Sequence, residues 1–263
     1  MNQIDQISIS HQFRREIPLG LRYDDAFMSL ASAVSIMKTP ADQTAALSLQ
    51  GSLRLGEAEN RLPIMLDLYD PTPGPLLVAG DEGGGKTTFL QSLTLGSDLQ
   101  DPGEILFGVL TPFPEEWVGL EALSNCLGIW PAYHLSARHF LAQLVSWGNV
   151  LQGSRELVIL MVDGLDLLIA NGFHDLNDMR WLLTYGPRRH VWPIVSINPG
   201  RLPRPETWLG YFQTRIFGRV KHPQTANILG ASSEIDLSQL SHKGVYGLWR
   251  QGSWIKFQLP SIS

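Results

Sequence analysis

Four stretches of this chain are apolar at nearly every position: Leu76–Ala79, Ile105–Leu110, Leu157–Val162 and Val191–Ile197. A strand with one wet face alternates apolar and polar residues. A near-continuous run marks a strand buried on both sides, as in a parallel sheet covered by helices. Between these runs lie segments with helical character: Lys86–Leu95, Leu135–Leu151 with Gly148 as its weak point, and Phe173–Tyr185. Strand and helix alternate in this way from Pro75 onward, which predicts an α/β fold with a mostly parallel sheet and helices on both faces.

The pattern changes after Pro205. Phe212–Val220 reads as extended, Gln224–Leu229 as a helix, and Gly244–Trp249 with Ser253–Leu259 as a C-terminal antiparallel strand pair turning at Gln251-Gly252. Upstream, Leu62–Leu68 reads as a strand leading into the core, followed by a turn at Pro71-Thr72-Pro73-Gly74. Residues 1–60 read as an N-terminal accessory segment ahead of a domain spanning 61–263. Phe27, Leu30, Ala31, Val34 and Met37 fall near helical spacing, predicting an amphipathic helix over Tyr23–Met37, and a second short helix is expected around Thr44–Leu49. There is no internal repeat.

With 263 residues, 44% of them hydrophobic, the chain can bury one large α/β core with a small appendage. No apolar run is long enough to predict a membrane span, and Met1–Arg15 lacks the apolar stretch of a secretory signal. The single cysteine, Cys126, excludes an internal disulfide and reads as a buried small side chain. A cytoplasmic location is the expectation. The net charge of -5 is unevenly spread: residues 61–185 hold 5 basic and 15 acidic side chains, residues 186–263 hold 10 basic and 3 acidic. Three readings are open: a basic surface for nucleic acid, complementary faces in an oligomer, or mutual neutralisation within one fold.

The first apolar run feeds into Gly80-Asp81-Glu82-Gly83-Gly84-Gly85-Lys86-Thr87, followed by Thr88 and a helical segment. This is the phosphate-binding loop pattern G-x-x-x-x-G-K-[ST] in its required context of strand, loop and helix. Glycines let the backbone curl so that its amides face phosphate oxygens, and the helix start adds its positive end. Lys86 is placed to reach the β- and γ-phosphates of ATP, and the Thr87 hydroxyl to ligate Mg2+.

Asp163 ends the buried run Leu157–Val162, which suits a carboxylate that holds Mg2+, through water, as the partner of Thr87; a structural cap is the other reading. The next residue is Gly164. Asp166 can substitute as the hydrolytic carboxylate if the chain turns back after Leu165, or it can cap the following helix. Glu82 is a further carboxylate, inside the loop itself, and the base stays unassigned. Asn198, at the end of Val191–Ile197, fits a sensor of the γ-phosphate, while Asn198-Pro199-Gly200 is equally good turn chemistry. Arg188, Arg189, Arg215 and Arg219 are candidates for contacting phosphates. The histidines show no metal-ligand spacing with cysteine or carboxylate, so zinc is not indicated. Trp117, Trp130, Trp147 and Trp181 read as packing residues.

These residues resemble the FtsK/HerA-like branch of the additional-strand P-loop ATPases. The likeness rests on Leu76–Gly80 with the loop through Thr88, the Val162-Asp163 strand end, Val191–Asn198, Gln213–Val220, and the ending Lys243–Tyr246 with Trp254–Phe257. The resemblance implies a RecA-like core that often assembles into rings and either pumps double-stranded DNA or, in related ATPases, energises type VII protein secretion. It places Asn198 at the sensor position and matches Arg215 to an arginine that acts in its own or a neighbouring subunit's site. Two departures stand out. Gly164 occupies the usual catalytic-glutamate position, as in degenerate modules of the secretion machines, and Ala226 falls where many DNA pumps have arginine. The resulting expectation is an ATP-binding protein and weak ATPase coupled to DNA translocation. The alternative is a nucleotide-regulated assembly protein, or an energising module of protein transport with little hydrolysis of its own. Expected partners are further copies or related ATPase subunits, double-stranded DNA, and a protein bound through residues 1–60. A glutamate restored at position 164 is expected to raise hydrolysis.

Overall fold

The structure, a computed structural model, describes residues 35–36, 51–98, 104–150, 155–171, 176–202, 204–230, 236–240, 244–250 and 252–259. Its strands are β1 (Ser35–Ile36), β2 (Ser52–Ala58), β3 (Pro63–Asp67), β4 (Leu76–Ala79), β5 (Ile105–Thr111), β6 (Cys126–Pro131), β7 (Leu157–Val162), β8 (Val191–Ile197), β9 (Thr214–Phe217), β10 (Val245–Arg250) and β11 (Ser253–Gln258). The helices are α1 (Lys86–Asp98), α2 (Leu135–Val150), α3 (Leu165–Ala170), α4 (Asn177–Tyr185), α5 (Glu206–Leu209) and α6 (Pro223–Ile228).

All the strands join one sheet in the order β1-β3-β2-β11-β10-β9-β4-β8-β7-β5-β6. From β9 to β6 every neighbouring pair is parallel. From β9 back to β1 every pair is antiparallel. Strands β4, β5, β7 and β8 are buried at every position, which is why their sequences are continuously apolar. Successive side chains go to opposite faces. Leu77, Ala79, Leu160, Val162 and Val195 pack with Phe140, Leu141 and Leu144 of α2 and Leu182 of α4. Leu76, Val78, Ile159, Met161 and Ile194 pack with Phe89, Leu90 and Leu93 of α1.

The antiparallel half contributes to the second of these cores, while Val245, Trp249 and Trp254 of its last two strands pack against the first. Leu53 and Leu55 of β2, Ile64 and Leu66 of β3, Tyr246 of β10 and Phe257 of β11 are all buried in the second beside α1. The boundary drawn near residue 60 therefore falls inside the β2–β3 hairpin, and β2 also pairs with β11. Ser35–Ile36 is a strand against β3 where the apolar spacing predicts a helix; the rest of the Tyr23–Met37 helix, and the Thr44–Leu49 one, lie outside the described residues. Strand β6 has no expectation behind it. Its sequence CLGIWP carries a glycine and a proline, and only Cys126 and Leu127 are buried, so tertiary pairing with β5 defines it rather than local pattern. Burial pushes the Cys126 thiol up to about 12, which leaves it inert as a nucleophile.

Candidate nucleotide site

Strands β4, β7 and β8 run parallel and end together, so the loops leaving their carboxyl ends meet at one crevice. Loop 80–85 leaves β4 and turns directly into α1 at Lys86. Gly85 has φ 80 and lies against Tyr246 of β10, where an added Cβ would sit 2.6 Å from the phenol oxygen. Only glycine takes that backbone conformation so close to another side chain. The Tyr246 hydroxyl donates to the Gly85 carbonyl at 2.8 Å. At the other end of the loop the Asp81 N–H donates to Arg219 O at 2.9 Å, and the Asp81 carboxylate accepts the Lys221 N–H at 2.8 Å. The loop is thus held from outside at both ends.

The Lys86 ammonium folds back onto its own loop, donating to the carbonyls of Gly80 and Asp81 at 2.9 Å each. Burial lowers its pKa, and the nearby carboxylates of Asp166, Asp163 and Asp81 oppose that shift. Lys86 and Thr87 line an open pocket of about 200 Å³ with Glu82, Gly83, Asp163, Gly164, Asp166 and Asn198. Thr88 is exposed on α1 and, with Gly80, Asp81, Gly84 and Gly85, is not among the residues lining it.

Asp163 is 6% exposed and both its oxygens are engaged. Ser196 Oγ donates to Oδ1 at 2.9 Å, and the Trp117 indole N–H donates to Oδ2 at 3.3 Å. Ser196 in turn accepts the Gly164 N–H at 2.8 Å. One donor per oxygen fixes the carboxylate's orientation and leaves each oxygen a lone pair directed elsewhere. The Thr87 hydroxyl and the Asp163 carboxylate are hard oxygen donors on facing walls, which suits Mg2+; that ion is bound through one or two such groups plus substrate phosphates and needs no all-protein cage. No cluster of three or more His, Cys, Asp or Glu side chains exists among the described residues, in keeping with that mode.

Gly164 lies at φ 84, ψ 61, and the chain turns there into α3. This turn brings Asp166 back into the pocket, 2% exposed, where its Oδ1 accepts the Asn198 N–H at 2.8 Å. Burial raises the Asp166 pKa, against the lowering effects of the Asn198 amide, Lys86 and Arg201. A carboxylate drawn toward neutral pH inside a crevice has the property that a general base requires. Asn198 lines the pocket, and its Oδ1 accepts the Gly200 N–H at 3.1 Å to shape the turn that follows.

Arg215 is not brought to the pocket. Its guanidinium donates to the carbonyls of Phe212, Leu229 and Leu209 and stacks over Trp249 with 5.1 Å to the ring centroid. These contacts tie β9 to the segments around α5 and α6. Arg188 and Arg189 precede β8 and so lie at the end of the sheet opposite the crevice. Ala226 is half-buried against the core on α6. Ser196 and Trp117, which orient Asp163, and Phe113, Glu116, Leu167 and Arg201, which line the pocket, were not singled out from sequence for a role here. The spacing of Arg201 three residues after Asn198 was the available signal.

No family model and no curated protein sequence matches this chain. Among solved structures it is similar to the cytoplasmic domain of the type VII secretion ATPase EccC of Thermomonospora curvata, with TM-score 0.62 and 15% identity over 81% of this chain and 29% of that one. It is similar to the pCW3 conjugation coupling protein TcpA in a monomer form with ATPγS, with TM-score 0.59 and 16% identity over 80% of this chain and 66% of that one. It is also similar to the genome packaging NTPase B204 from Sulfolobus turreted icosahedral virus 2 in complex with AMPPCP, with TM-score 0.51 and 10% identity over 73% of this chain and 99% of that one. The chain thus spans less than two thirds of the length of the first two. No helix among the described residues is long and apolar enough to cross a membrane. With β8 inserted between β4 and the Asp163 strand β7, the chain has a RecA-like P-loop fold, and its likeness to these structures is one of fold.

Proposed function

We propose that this chain binds Mg-ATP at loop 80–87 and hydrolyses it slowly, serving as an energising module of macromolecular transport that works in contact with further copies or related ATPase subunits. The observation that carries this reading is the asymmetry of the site. The phosphate-binding half is complete, with Lys86, Thr87 and a doubly oriented Asp163 on one pocket, while the position after Asp163 is a glycine in the left-handed region. Mg2+ bound there would neutralise and polarise the phosphate oxygens. Thr87 and Asp163 would hold that ion, Lys86 and the loop amides would bind the phosphates, and Asp166 would accept the proton of the attacking water. A base displaced three residues from the usual position favours slow turnover.

Protein transport is preferred over DNA pumping as the coupled task because the secretion ATPase EccC shares this fold and the Gly164 departure is that of degenerate secretion modules. Likeness to TcpA and B204 keeps DNA translocation as the second reading. The test is turnover of ATP by the purified full chain with Mg2+, with and without duplex DNA, with oligomer size followed in parallel. Tight nucleotide binding with slow turnover indifferent to DNA is expected. Turnover stimulated severalfold by DNA would install the second reading, and no calorimetric signal with millimolar Mg-ADP would remove both.

A further inference from the structure

Of the residues lining the pocket only Lys86 and Arg201 are cationic, set against the carboxylates of Glu82, Glu116, Asp163 and Asp166. The charge of a triphosphate, added to that of these carboxylates, exceeds what Lys86 and one divalent ion can balance. Arg201 is the cation at hand, and its present partner is informative: its guanidinium pairs with Glu82, at the tip of the phosphate loop itself. Both side chains are largely exposed, at 45% and 77%, so the pair is a weak one that a stronger anion can displace.

The position of Arg201 is built rather than incidental. Ala79 and Ile197 are register partners on β4 and β8, so the phosphate loop and the segment after β8 leave the sheet side by side. Asp166 holds the Asn198 N–H, Asn198 Oδ1 holds the Gly200 N–H, and the Arg201 N–H donates to the Asn198 carbonyl at 3.0 Å. A turn anchored to a buried carboxylate therefore sets Arg201 across from Glu82 at the rim. Its charge is close enough to both Lys86 and Asp166 to shift their proton affinities downward.

We propose that Arg201 is the residue of this chain that reads the γ-phosphate, and that Glu82 occupies its guanidinium until a triphosphate takes it over. Glu82 then functions as a stand-in anion that keeps the arginine at the rim, and the exchange distinguishes ATP from ADP within one subunit. This rests on the assignment of the pocket to Mg-ATP, and the experiment separates the two. Calorimetry on the full chain with Mg2+ compares ADP with the non-hydrolysable triphosphate AMPPNP, for the parent, Arg201→Ala, Arg201→Lys and Glu82→Gln. Circular dichroism confirms that each variant is folded.

Arg201→Ala is expected to leave ADP affinity within about twofold while weakening AMPPNP about tenfold or more, as loss of a charge-assisted contact implies. Arg201→Lys restores part of it, since an ammonium keeps the charge and loses the two-pronged geometry. Glu82→Gln is expected to tighten AMPPNP relative to ADP by up to about fivefold, the size of a surface ion pair no longer to be broken. An unchanged ratio of AMPPNP to ADP affinity in Arg201→Ala, with both still bound, overturns this inference alone. Failure of the parent to bind either nucleotide overturns the pocket assignment and the inference with it.

Discussion

Replacing Gly164 tests whether the site lacks a glutamate only for want of a side chain or because its backbone excludes one. Gly164 sits at φ 84, ψ 61, a region that costs an L-residue about 1–2 kcal/mol. Space is a smaller matter: an added Cβ would lie 3.3 Å from Leu167 Cδ1, the far end of a flexible side chain that can give way. Gly164→Ala should therefore lower the melting temperature by about 2–8 °C in a chain of this size, which is the backbone cost converted by the usual entropy of unfolding. Gly164→Asn should lose less, because asparagine tolerates the left-handed region better than alanine does. Gly164→Glu should lose about as much as alanine. Thermal melts of the nucleotide-free proteins read all three. An alanine variant melting within 1 °C of the parent, or an asparagine variant no better than alanine, would refute the backbone argument. The same series revises the expectation that a restored glutamate raises hydrolysis. The substitution carries a conformational penalty at the residue whose N–H is bonded to Ser196, so the Asp163 cradle is disturbed as the carboxylate is added. Turnover of Gly164→Glu should stay within about twofold of Gly164→Ala.

Three further substitutions probe the site. Ser196→Ala removes the hydroxyl that joins Gly164 N–H to Asp163 Oδ1 and leaves both buried groups short of a partner, a cost of about 1–3 kcal/mol; the expected result is a lower melting point together with a higher Mg2+ requirement for nucleotide binding, read by titration. Tyr246→Phe deletes the bond to the Gly85 carbonyl, and ADP affinity measured by calorimetry should fall about 3–10-fold although Tyr246 touches no pocket residue but the loop; unchanged affinity would show that the loop holds its shape unaided. Asp166→Asn keeps an acceptor for the Asn198 N–H while removing a charge that burial disfavours. Because the folded-state pKa of Asp166 is raised, the group favours the fold at low pH and costs stability as pH rises through that pKa. The variant should gain about 1–4 °C over the parent at pH 8 and little or nothing at pH 4, while its turnover falls about 10²-fold; an equal gain at both pH values would mean that folding does not raise the Asp166 pKa.

The central strands were legible because burial on both faces leaves nothing but apolar residues, and the predicted bounds Leu157–Val162 and Val191–Ile197 coincide with β7 and β8. The phosphate loop was legible because its chemistry is local in sequence. What escaped was assembled by the sheet rather than the chain. Ser196 looks like one polar residue in an apolar strand, and only the adjacency of β8 to β7 reveals it as the partner of Asp163. Trp117 reads as packing, yet its indole N–H crosses 46 residues of sequence to the same carboxylate. Arg215 is a third case: three backbone carbonyls of its own chain take its donors, a competition that no sequence pattern displays. Strand β2 went unseen because SLRLGEA alternates only in part, and its pairing with β3 and β11 supplies the rest.

The uneven charge along the chain gains a physical reading from the same topology. The acidic middle and the basic last third are not separate bodies: β9, from the basic third, lies directly beside β4, and β10 follows it in the sheet. Where the two thirds touch, opposite charges meet at the phosphate loop. Arg201 pairs with Glu82, and the Asp81 carboxylate takes the backbone N–H of Lys221. Arg188 and Arg189, by contrast, sit at the other end of β8. Pairing within the fold is seen between Arg201 and Glu82, and the contacts made by the last third do more than balance charge. The last third holds the loop at Asp81 through Arg219 and Lys221 and at Gly85 through Tyr246. These contacts tie the loop directly to the segment after β9 and to strand β10, and so to the antiparallel half of the sheet.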